Sequence, residues 1–414
     1  KKRMEPKVHS KILNKKIMAK QITNKVSWVG KIDWELTKFH GDELSTKHGS
    51  SYNAYLIEDE KTALIDTVWQ PYDKEFVARL KKTIDLKKID YIVMNHNEID
   101  HSGALVELMR EIPDTPIYCT KKGESIIRGH YHPEGWNFVN VKTGDTLNLG
   151  ENTLTFIEAP MLHWPDTMFS YLSGENILFS NDAFGQHFAT ESLYNDTVKQ
   201  DDLRWEAQKY YANILNPFSM MVSRKVKELI GMNLDIKMIC PSHGIIWKEN
   251  PKQIIDKYVE WSNAYKENQI TIIYDTMWQS TRKMAESISD GIQKEDKDVT
   301  VKLFNASQID KNDILTEIFQ SKAILVGSPT INNGYSYAIA GILEMARGIK
   351  YKGKKAAAFG SYGWNGDAPK MITAHLQEAG FEIVNDGIKK QWVPDVKDLD
   401  DCTEYGKEFA KATK

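Results

Sequence analysis

The chain has 414 residues, too many for one ordinary hydrophobic core, which predicts two domains or three. With 41% hydrophobic and 27% charged residues it has the composition of a folded protein, and a net charge of -3 gives no electrostatic reason to expect nucleic acid or a membrane surface as a partner. No apolar run approaches the ~20 residues that a membrane-spanning helix needs.

The cysteines are few and widely spaced, and none belongs to a C-x-x-C pair; they are Cys119, Cys240 and Cys402. Three thiols exclude a metal module built on four thiolates, argue against a disulfide framework and predict a reducing, cytoplasmic setting. Any metal is therefore expected to be held by histidine and carboxylate. The basic segment 1–20 lacks the apolar core of a signal peptide and is predicted to be an N-terminal extension.

The first part of the chain, from residue 21 to about 266, consists of short strand-like runs separated by turns and a few helices. Segment 250–266 has helical spacing, with Ile254, Tyr258 and Trp261 on one face, and is predicted to close the first domain. The predicted strands of this part include 55–57, 62–65, 91–94, 153–158 and 176–179.

The remaining residues, 267–414, alternate largely apolar strands with helices. This pattern predicts a parallel sheet covered by helices on both faces, and the handedness of its crossovers favours a doubly wound order. The predicted elements are strands at 270–274, 299–304, 323–326 and 356–359 and a helix at 281–293, with further helical segments between the strands.

The densest group of metal-binding side chains is His96-x-Glu98-x-Asp100-His101, directly after the predicted strand 91–94. In an extended chain His96 and Glu98 point to the same side, and Asp100 and His101 are expected at a turn before a helix that begins near residue 102. Four such residues at one strand end are rarely structural. Imidazole and carboxylate without thiolate indicate iron, manganese or zinc rather than a closed structural site.

Three further candidates, His163, Asp182 and His243, each follow a strand-like run. Taken alone, such a histidine is more often a hydrogen-bonded loop residue and such an aspartate a turn former or cap. Beside the first cluster they become credible as a set, and the two oxygens of Asp182 can each take one metal. The other histidines are predicted to be structural or to line the pocket; they are His9, His40, His48, His130, His132, His187 and His375.

Three loops of the second part follow predicted strands at the edge where doubly wound sheets bind ligands. The first loop combines hydroxyl side chains with the start of a helix, an arrangement that suits a phosphate group. Ser280 and Thr281 are equally consistent with a role as N-caps of that helix. The loop has no G-x-x-x-x-G-K run, which excludes a nucleoside triphosphate loop. The other two offer amides for the polar edge of a ring system, with Trp364 for stacking; Tyr362 and Trp364 are also consistent with exposed loop aromatics. The candidate contacts are Thr276, Met277, Trp278, Gln279, Ser280, Thr281, Pro329, Thr330, Ile331, Asn332, Asn333, Ser361, Tyr362, Gly363, Trp364, Asn365 and Gly366.

These motifs, in this order, resemble flavodiiron proteins over essentially the whole chain beyond residue 20. Zinc hydrolases of the metallo-β-lactamase superfamily have His-x-His-x-Asp-His, whereas this chain has Glu98 at the second position, the flavodiiron pattern. The resemblance implies a metallo-β-lactamase-like αββα sandwich at 21–266 and a flavodoxin-like doubly wound parallel sheet at 267–414, which binds FMN. It also implies two irons, one held by His96, Glu98, His163 and Asp182 and the other by Asp100, His101, His243 and the same Asp182 as a bridge.

The resemblance further implies an oxidoreductase that reduces dioxygen to water, nitric oxide to nitrous oxide, or both, with electrons relayed through FMN to the diiron site. The implied assembly is a head-to-tail homodimer, with a dimer of dimers as the larger alternative. Because the chain has no cysteine pairs for a fused rubredoxin, a separate electron donor is expected: rubredoxin, a reductase or a reduced deazaflavin. Two alternatives stay open, a zinc hydrolase joined to a flavodoxin domain and a non-catalytic protein that only stores electrons on FMN.

Overall fold

The computed structural model describes residues 19–414, so the predicted N-terminal extension at 1–20 lies outside the described residues except at its end, where Lys20 opens the first strand. The chain divides into two compact units, the first containing the described residues up to Tyr210 together with Met220–Val259, the second Tyr211–Ser219 together with Glu260–Lys414. The domain boundary at 266/267 stays a prediction.

The first part of the chain is built mainly from short strands. These are β1 (Lys20–Gln21), β2 (Val26–Trp28), β3 (Lys31–Asp33), β4 (Lys38–Phe39), β5 (Leu44–Ser45), β6 (Ser50–Tyr52), β7 (Tyr55–Glu58), β8 (Thr62–Ile65), β9 (Ile89–Val93), β10 (Ile117–Cys119), β11 (Phe138–Asn140), β12 (Thr146–Asn148), β13 (Thr153–Glu158), β14 (Met168–Leu172), β15 (Ile177–Asn181) and β16 (Met238–Pro241). Its α-helices are α1 (Asp73–Thr83), α2 (Ile99–Ser102), α3 (Leu105–Glu111), α4 (Lys121–Tyr131), α5 (Gln200–Tyr210), α6 (Ser219–Gly231) and α7 (Lys252–Trp261). Short 3-10 turns lie at Gln70–Tyr72, Leu86–Lys88, Asn195–Thr197 and Asn216–Phe218, and a π-helical turn lies at Tyr211–Leu215.

Two sheets form the first unit. One has the order β1-β2-β7-β8-β9-β10-β11 and the other β12-β13-β14-β15-β16, with small two-stranded sheets β3-β6 and β4-β5 beside them. Several strands of both sheets are buried along their whole length, such as β8, β14 and β15, whereas β13 alternates, with Leu154 and Phe156 fully buried. These residues share one hydrophobic core with Ile57 and Ile65 of the first sheet and Phe179 of the second, so the inner faces of the two sheets pack together.

Parallel pairing within each sheet determines where the polar side chains that follow its strands are located. β8 and β9 run parallel, with Ile65 opposite Val93, and β15 and β16 run parallel, with Phe179 opposite Cys240. Because the carboxyl ends of parallel strands meet at one edge of a sheet, the segments that follow these strands are gathered together.

The second unit is a parallel doubly wound sheet, as predicted. Its strands are β17 (Glu267–Tyr274), β18 (Thr300–Asn305), β19 (Ser321–Gly327), β20 (Lys355–Tyr362), β21 (Glu382–Ile383) and β22 (Ile388–Gln391), and its helices are α8 (Ser280–Glu295), α9 (Lys311–Gln320), α10 (Tyr337–Ile349), α11 (Ala368–Glu378) and α12 (Val396–Ala412). The order is β18-β17-β19-β20, with β21 and β22 both pairing with β20, which gives the 2-1-3-4-5 arrangement of flavodoxin-like sheets. Ile270 and Ile272 pack under α8 and α12, and glycine lets these helices approach closely: a Cβ on Gly406 would lie 2.2 Å from the Ile288 carbonyl oxygen.

Two predicted helix boundaries were wrong. α2 begins at Ile99 rather than near residue 102, because the amides of His101 and Ser102 already donate to the Glu98 carbonyl oxygen, so Asp100 and His101 lie in a helical turn. The helix predicted at 250–266 spans only Lys252–Trp261 and stops before Ala264, whose φ of 49° is left-handed. Within residues 19–414 no helix is both long and apolar enough to cross a membrane.

Replacing Ile272 by alanine tests the core of the second unit. Ile272 is fully buried on the central strand β17, so Ile272→Ala is expected to lower the free energy of unfolding by about 2–5 kcal/mol, measured by denaturant titration. Ile309→Ala is the matched control, because that side chain is 40% exposed and its loss is expected to change stability by less than about 0.5 kcal/mol. Equal effects of the two substitutions would contradict the core described above.

Candidate metal centre and flavin loops

Four of the predicted metal ligands meet at the edge where the two sheets of the first unit converge. Glu98 Oε2 lies 3.4 Å from His96 Nε2 and 3.4 Å from His163 Nε2, while Asp182 Oδ2 lies 3.5 and 3.3 Å from the same two nitrogens. One ligand atom from each residue lies within 4.8 Å of the other three, a spacing that suits a single metal ion.

The other three predicted ligands form a second group beside the first. Asp100 Oδ2 lies 3.1 Å from His101 Nε2 and 3.1 Å from His243 Nε2, and all three residues are buried. Asp182 faces this group with its other oxygen, because Oδ1 lies 3.1 Å from His101 Nε2 and 3.5 Å from His243 Nε2. The carboxylate of Asp182 therefore stands between two ligand groups with one oxygen towards each.

Hydrogen bonds behind the rings fix which nitrogen faces the centre. His243 Nδ1 donates to the Ser51 carbonyl oxygen at 2.8 Å, which leaves the Nε2 lone pair for a metal. His96 Nδ1 donates to Asp166 Oδ1 at 3.0 Å, and the other oxygen of Asp166 accepts from the backbone and side-chain amides of Asn97. Asp166 was missed at the sequence level; its only signal was its position three residues after His163.

The buried charges of the centre shift one another's protonation. Burial alone lowers the pKa of a histidine, yet the carboxylates of Asp100 and Asp182 raise the pKa of His101 to about 9. Glu98 and Asp182 likewise overcome burial and raise the pKa of His163 to about 9. Burial also opposes ionisation of Asp182, but the surrounding imidazoles hold its pKa well below its usual value. The centre is thus a buried set of negative carboxylates that needs positive partners.

Several polar atoms of the centre are buried and make no hydrogen bond, namely Asp100 Oδ1, both ring nitrogens of His101 and Asp182 Oδ2. Buried polar atoms are normally paired, so atoms without a bond at this position fit a bound cation. Imidazole and carboxylate donors in this ratio suit a redox metal such as iron.

Two of the histidines expected to be structural or to line the pocket lie against the centre. His40 Nε2 lies 2.9 Å from Glu98 Oε1, and the His187 ring centroid lies 5.0 Å from that of His243, with its Nδ1 2.9 Å from Ser50 Oγ. Phe39 stacks on His40 and meets the edge of His243.

The other histidines are farther from the ligands. His48 pairs with Glu206 at 3.7 Å, the His130 ring lies 6.4 Å from that of Trp164, and His132 is exposed at the end of α4. His375 lies on α11 in the second unit, and His9 lies outside the described residues.

In the second unit the three predicted loops follow the adjacent strands β17, β19 and β20, so they lie together at one edge of the sheet. Thr281 Oγ1 and Ser361 Oγ lie 2.9 Å apart, and the Thr330 amide donates to the Ser361 carbonyl oxygen at 2.9 Å. The hydroxyl of Thr276 is buried and has no hydrogen-bond partner, and α8 begins four residues later at Ser280. An unpaired hydroxyl beside a helix start fits an anion such as the phosphate of FMN.

The aromatic residues of these loops are open to solvent. Trp278 is 82% and Trp364 85% exposed, which leaves both rings available to an isoalloxazine. Two residues at this edge were not predicted: Ser336, whose buried hydroxyl has no partner, and Trp392, whose ring would lie 3.0 Å from a Cβ on Gly363. Ser336 directly precedes the apolar helix α10, and that position was its only signal.

Comparisons with known proteins agree with this architecture. A family model described as an ODP family beta lactamase matches residues 51–244, and a flavodoxin model matches residues 272–406. The chain is 51% identical over 391 residues to anaerobic nitric oxide reductase flavorubredoxins of Klebsiella pneumoniae and Escherichia coli, an alignment that covers 94% of this chain and 81% of each relative.

Solved structures agree as well. The rubredoxin oxygen:oxidoreductase of Desulfovibrio gigas superposes with a TM-score of 0.92 at 37% identity, covering 95% of this chain and 98% of that one. The flavodiiron protein of Giardia intestinalis gives a TM-score of 0.91 at 32% identity, covering 95% and 96%.

The fold and the site thus define a two-domain α/β oxidoreductase, with a β-lactamase-like unit followed by a flavodoxin-like one. The chain belongs to the flavodiiron protein family, as its motifs indicated. Its cofactors are FMN and a non-haem diiron centre, which confirms the predicted cofactors and sets aside the zinc-hydrolase and electron-storage alternatives.

Metal binding is expected to release protons, because at pH 7 the metal-free protein carries a proton on both His101 and His163, whose pKa values lie at about 9. Against the effect of burial, hydrogen bonds to Asp166 and Glu98 also raise the pKa of His96 well above its usual value. A divalent cation must therefore displace at least two protons, so its affinity is expected to fall by about a hundredfold or more per unit as the pH is lowered below 8. Titration calorimetry with Zn²⁺ at several pH values, in buffers of different ionisation enthalpy, counts these protons. An affinity independent of pH would contradict the charge state described here.

Proposed function

We propose that this chain is a flavodiiron gas reductase that reduces nitric oxide to nitrous oxide and dioxygen to water. The observation that carries the proposal is Asp182, whose two carboxylate oxygens each face a separate group of three further metal-binding side chains. A carboxylate in this position can bridge two irons, and two adjacent irons can act on one or two small diatomic molecules.

The proposed ligands follow from this arrangement. One iron would be held by His96, Glu98 and His163 and the other by Asp100, His101 and His243, and Asp182 would be shared between them. The distances within each group support the assignment, and Glu98 adds the hard oxygen donor that favours iron over zinc.

When bound, the irons would supply Lewis acidity and electrons for the reduction, and FMN would supply single electrons to them. Dioxygen takes four electrons and four protons to give two waters; two nitric oxides take two electrons and two protons to give nitrous oxide and one water. The side chains hold the irons, orient their ligands and restrict water. Aromatic rings beside the centre restrict water. The ring centroid of Trp164 lies 5.2 Å from that of His96, and the ring centroids of Phe39 and Tyr210 lie 5.7 and 6.1 Å from that of His243.

The proposed FMN site is the edge formed by the three predicted loops. Thr276, Ser280 and Thr281 would hold the phosphate through hydroxyls and the amides at the start of α8. Residues 329–333 and 361–366 would contact the ring system, with Trp364 stacking on it. The domains are proposed to be residues 21–266 for iron and 267–414 for FMN.

The choice of gas is supported by the relatives. Those at 51% identity are named nitric oxide reductases, whereas the Desulfovibrio gigas protein, at 37%, is named an oxygen oxidoreductase. We therefore expect turnover with both gases and the higher kcat/KM with nitric oxide.

The proposed partners are a separate electron donor and a second copy of the chain. Names of the relatives point to rubredoxin as the donor, with a reductase or a reduced deazaflavin as the other sources. A head-to-tail homodimer would bring the FMN of one subunit to the irons of the other. A reducing, cytoplasmic setting is proposed as well, since all three cysteines are free and buried.

The first experiment measures the iron and flavin content of the purified protein and its consumption of nitric oxide and dioxygen with a reduced rubredoxin. About two irons and one FMN per chain, with turnover, is the expected result. Zinc in place of iron, with no gas consumed after anaerobic iron loading, would overturn the proposal.

Removing one iron ligand should stop turnover without disturbing the flavin. His96→Ala is expected to lower gas consumption by about a hundredfold or more, while FMN content, read from the visible spectrum, stays at the wild-type level. His375→Ala is the control, because His375 lies on α11 of the second unit and belongs to neither ligand group. Flavin loss in His96→Ala, with activity retained, would contradict the division of labour between the units.

Removing the exposed indole beside the proposed flavin should weaken FMN binding. Trp364→Ala is expected to raise the FMN dissociation constant by about tenfold, because a stacked ring loses its partner. Fluorescence titration of FMN into flavin-free protein measures the change, and Trp34→Ala, which removes a 56% exposed indole from the first unit, serves as the control. Unchanged affinity would remove Trp364 from the site.

A further inference from the structure

A buried aspartate that is not one of the proposed ligands lies where the two sheets of the first unit meet. Asp66 directly follows β8, is 3% exposed and has a φ of 54°, in the left-handed region. Aspartate and asparagine tolerate this region better than most residues do. Asp66 was absent from the predicted site residues.

The two oxygens of Asp66 bind different sheets. Oδ1 accepts from the backbone amide of Asn95 at 2.7 Å, just after β9 of the first sheet. Oδ2 accepts from the side-chain amide of Asn181 at 3.2 Å, the last residue of β15 in the second sheet. One carboxylate therefore joins two strand ends at the edge of the apolar core that the two sheets share.

Both partners of Asp66 stand next to proposed iron ligands. Asn95 precedes His96, and its own side-chain oxygen accepts from Ser170 Oγ at 2.6 Å. Asn181 precedes Asp182, and its side-chain oxygen accepts from the backbone amide of Asp182 at 2.8 Å. A continuous set of hydrogen bonds thus runs from the segment that carries His96, through Asp66, to the segment that carries the bridging carboxylate.

The hydrogen bonds of Asp66 set the separation of the two sheets at this point, which apolar packing alone does not. Hydrophobic contacts are non-directional and tolerate small shifts of one sheet against the other, whereas hydrogen bonds of 2.7 and 3.2 Å set a defined separation. The distances of 3.1 to 3.5 Å between Asp182 and the imidazoles depend on that separation.

We propose that Asp66 is a positioning residue that fixes the bridging carboxylate of Asp182 against the imidazoles of the first sheet. The inference rests on the proposed diiron function and adds a residue outside its ligand set. Without both acceptor oxygens of Asp66, the segments before His96 and Asp182 lose their common anchor, and the two ligand groups no longer share one bridge at the right distance.

Asparagine at position 66 is the sharpest substitution. Its size and its tolerance of a positive φ match those of aspartate, but it offers one acceptor and one donor. In Asp66→Asn the new amide faces the Asn181 amide, donor against donor. If Asn181 turns its side chain over, the bond to the Asp182 backbone amide is lost instead, so one bond fails in either arrangement.

The exchange of the two side chains restores every bond. In Asp66→Asn/Asn181→Asp, the carboxylate at 181 accepts from both the amide at 66 and the Asp182 backbone, while the oxygen at 66 still accepts from Asn95. Composition and net charge are those of the wild type. Asp59→Asn is the matched control: Asp59 also joins the two sheets, through both amides of Asn152 at 2.9 and 2.7 Å, but touches no ligand segment.

The test measures Fe²⁺ affinity under anaerobic conditions by chelator competition, together with the Mössbauer spectrum of the loaded protein. Asp66→Asn is expected to bind iron about tenfold or more weakly with an altered quadrupole splitting, and the exchanged double variant to return to within about threefold of the wild type. Asp59→Asn is expected to lower the unfolding temperature and leave both iron measurements unchanged.

Wild-type affinity and spectrum in Asp66→Asn would overturn the inference, as would a double variant no better than the single one. If Asp66→Asn does not fold, the double variant alone decides: a folded protein with the wild-type spectrum supports the positioning role, and a distorted spectrum contradicts it. A wild-type chain that takes up no iron would overturn the proposed function itself, and with it this inference.

Discussion

The buried carboxylate of Asp182 is the constraint on which the first unit depends. Each of its oxygens faces a different group of imidazoles and carboxylates, so residues that are distant in sequence must converge within a few ångströms of it. Ionised groups without water or counter-charge are costly to bury, and a cation bound by all of these side chains would offset the cost of gathering several of them at one point. Parallel strands supply the convergence, because their carboxyl ends meet at one edge of each sheet.

The second unit is proposed to bind an anion, the phosphate of FMN, whereas the first unit binds cations. In the proposed site, hydroxyl groups and the amides at the start of α8 would hold the phosphate, and loops at the ends of neighbouring strands would contact the ring system. Apolar strands such as β19 and β20, buried under helices, hold those loops in place. The rings of Trp278 and Trp364 are exposed at this edge, and contact with a flavin would explain why such large apolar side chains face the solvent.

Residues behind the ligands account for the precision of the metal centre. Asp166 orients His96, the Ser51 carbonyl orients His243, and Asp66 ties together the strand ends that carry His96 and Asp182. None of these three residues belongs to the ligand motif, and each of them makes a contact that crosses from one sheet region to another over a long stretch of sequence. Such contacts keep each ring nitrogen aimed at the metal position before a metal arrives.

The sequence by itself determined the class of fold, and the resemblance of its motifs indicated the family and the candidate ligands, because each of those motifs is local. His96-x-Glu98-x-Asp100-His101 sits within six residues, and alternating apolar strands and helices identify a parallel sheet wherever they occur. Only the tertiary structure decided which oxygen of Asp182 faces which ligand group, that His40 and His187 lie against the centre while His132 is exposed, and that Asp66 joins the two sheets. These depend on which strand ends become neighbours in space. A single sequence does not contain that information in any one segment, because it is set by the packing of all the strands together.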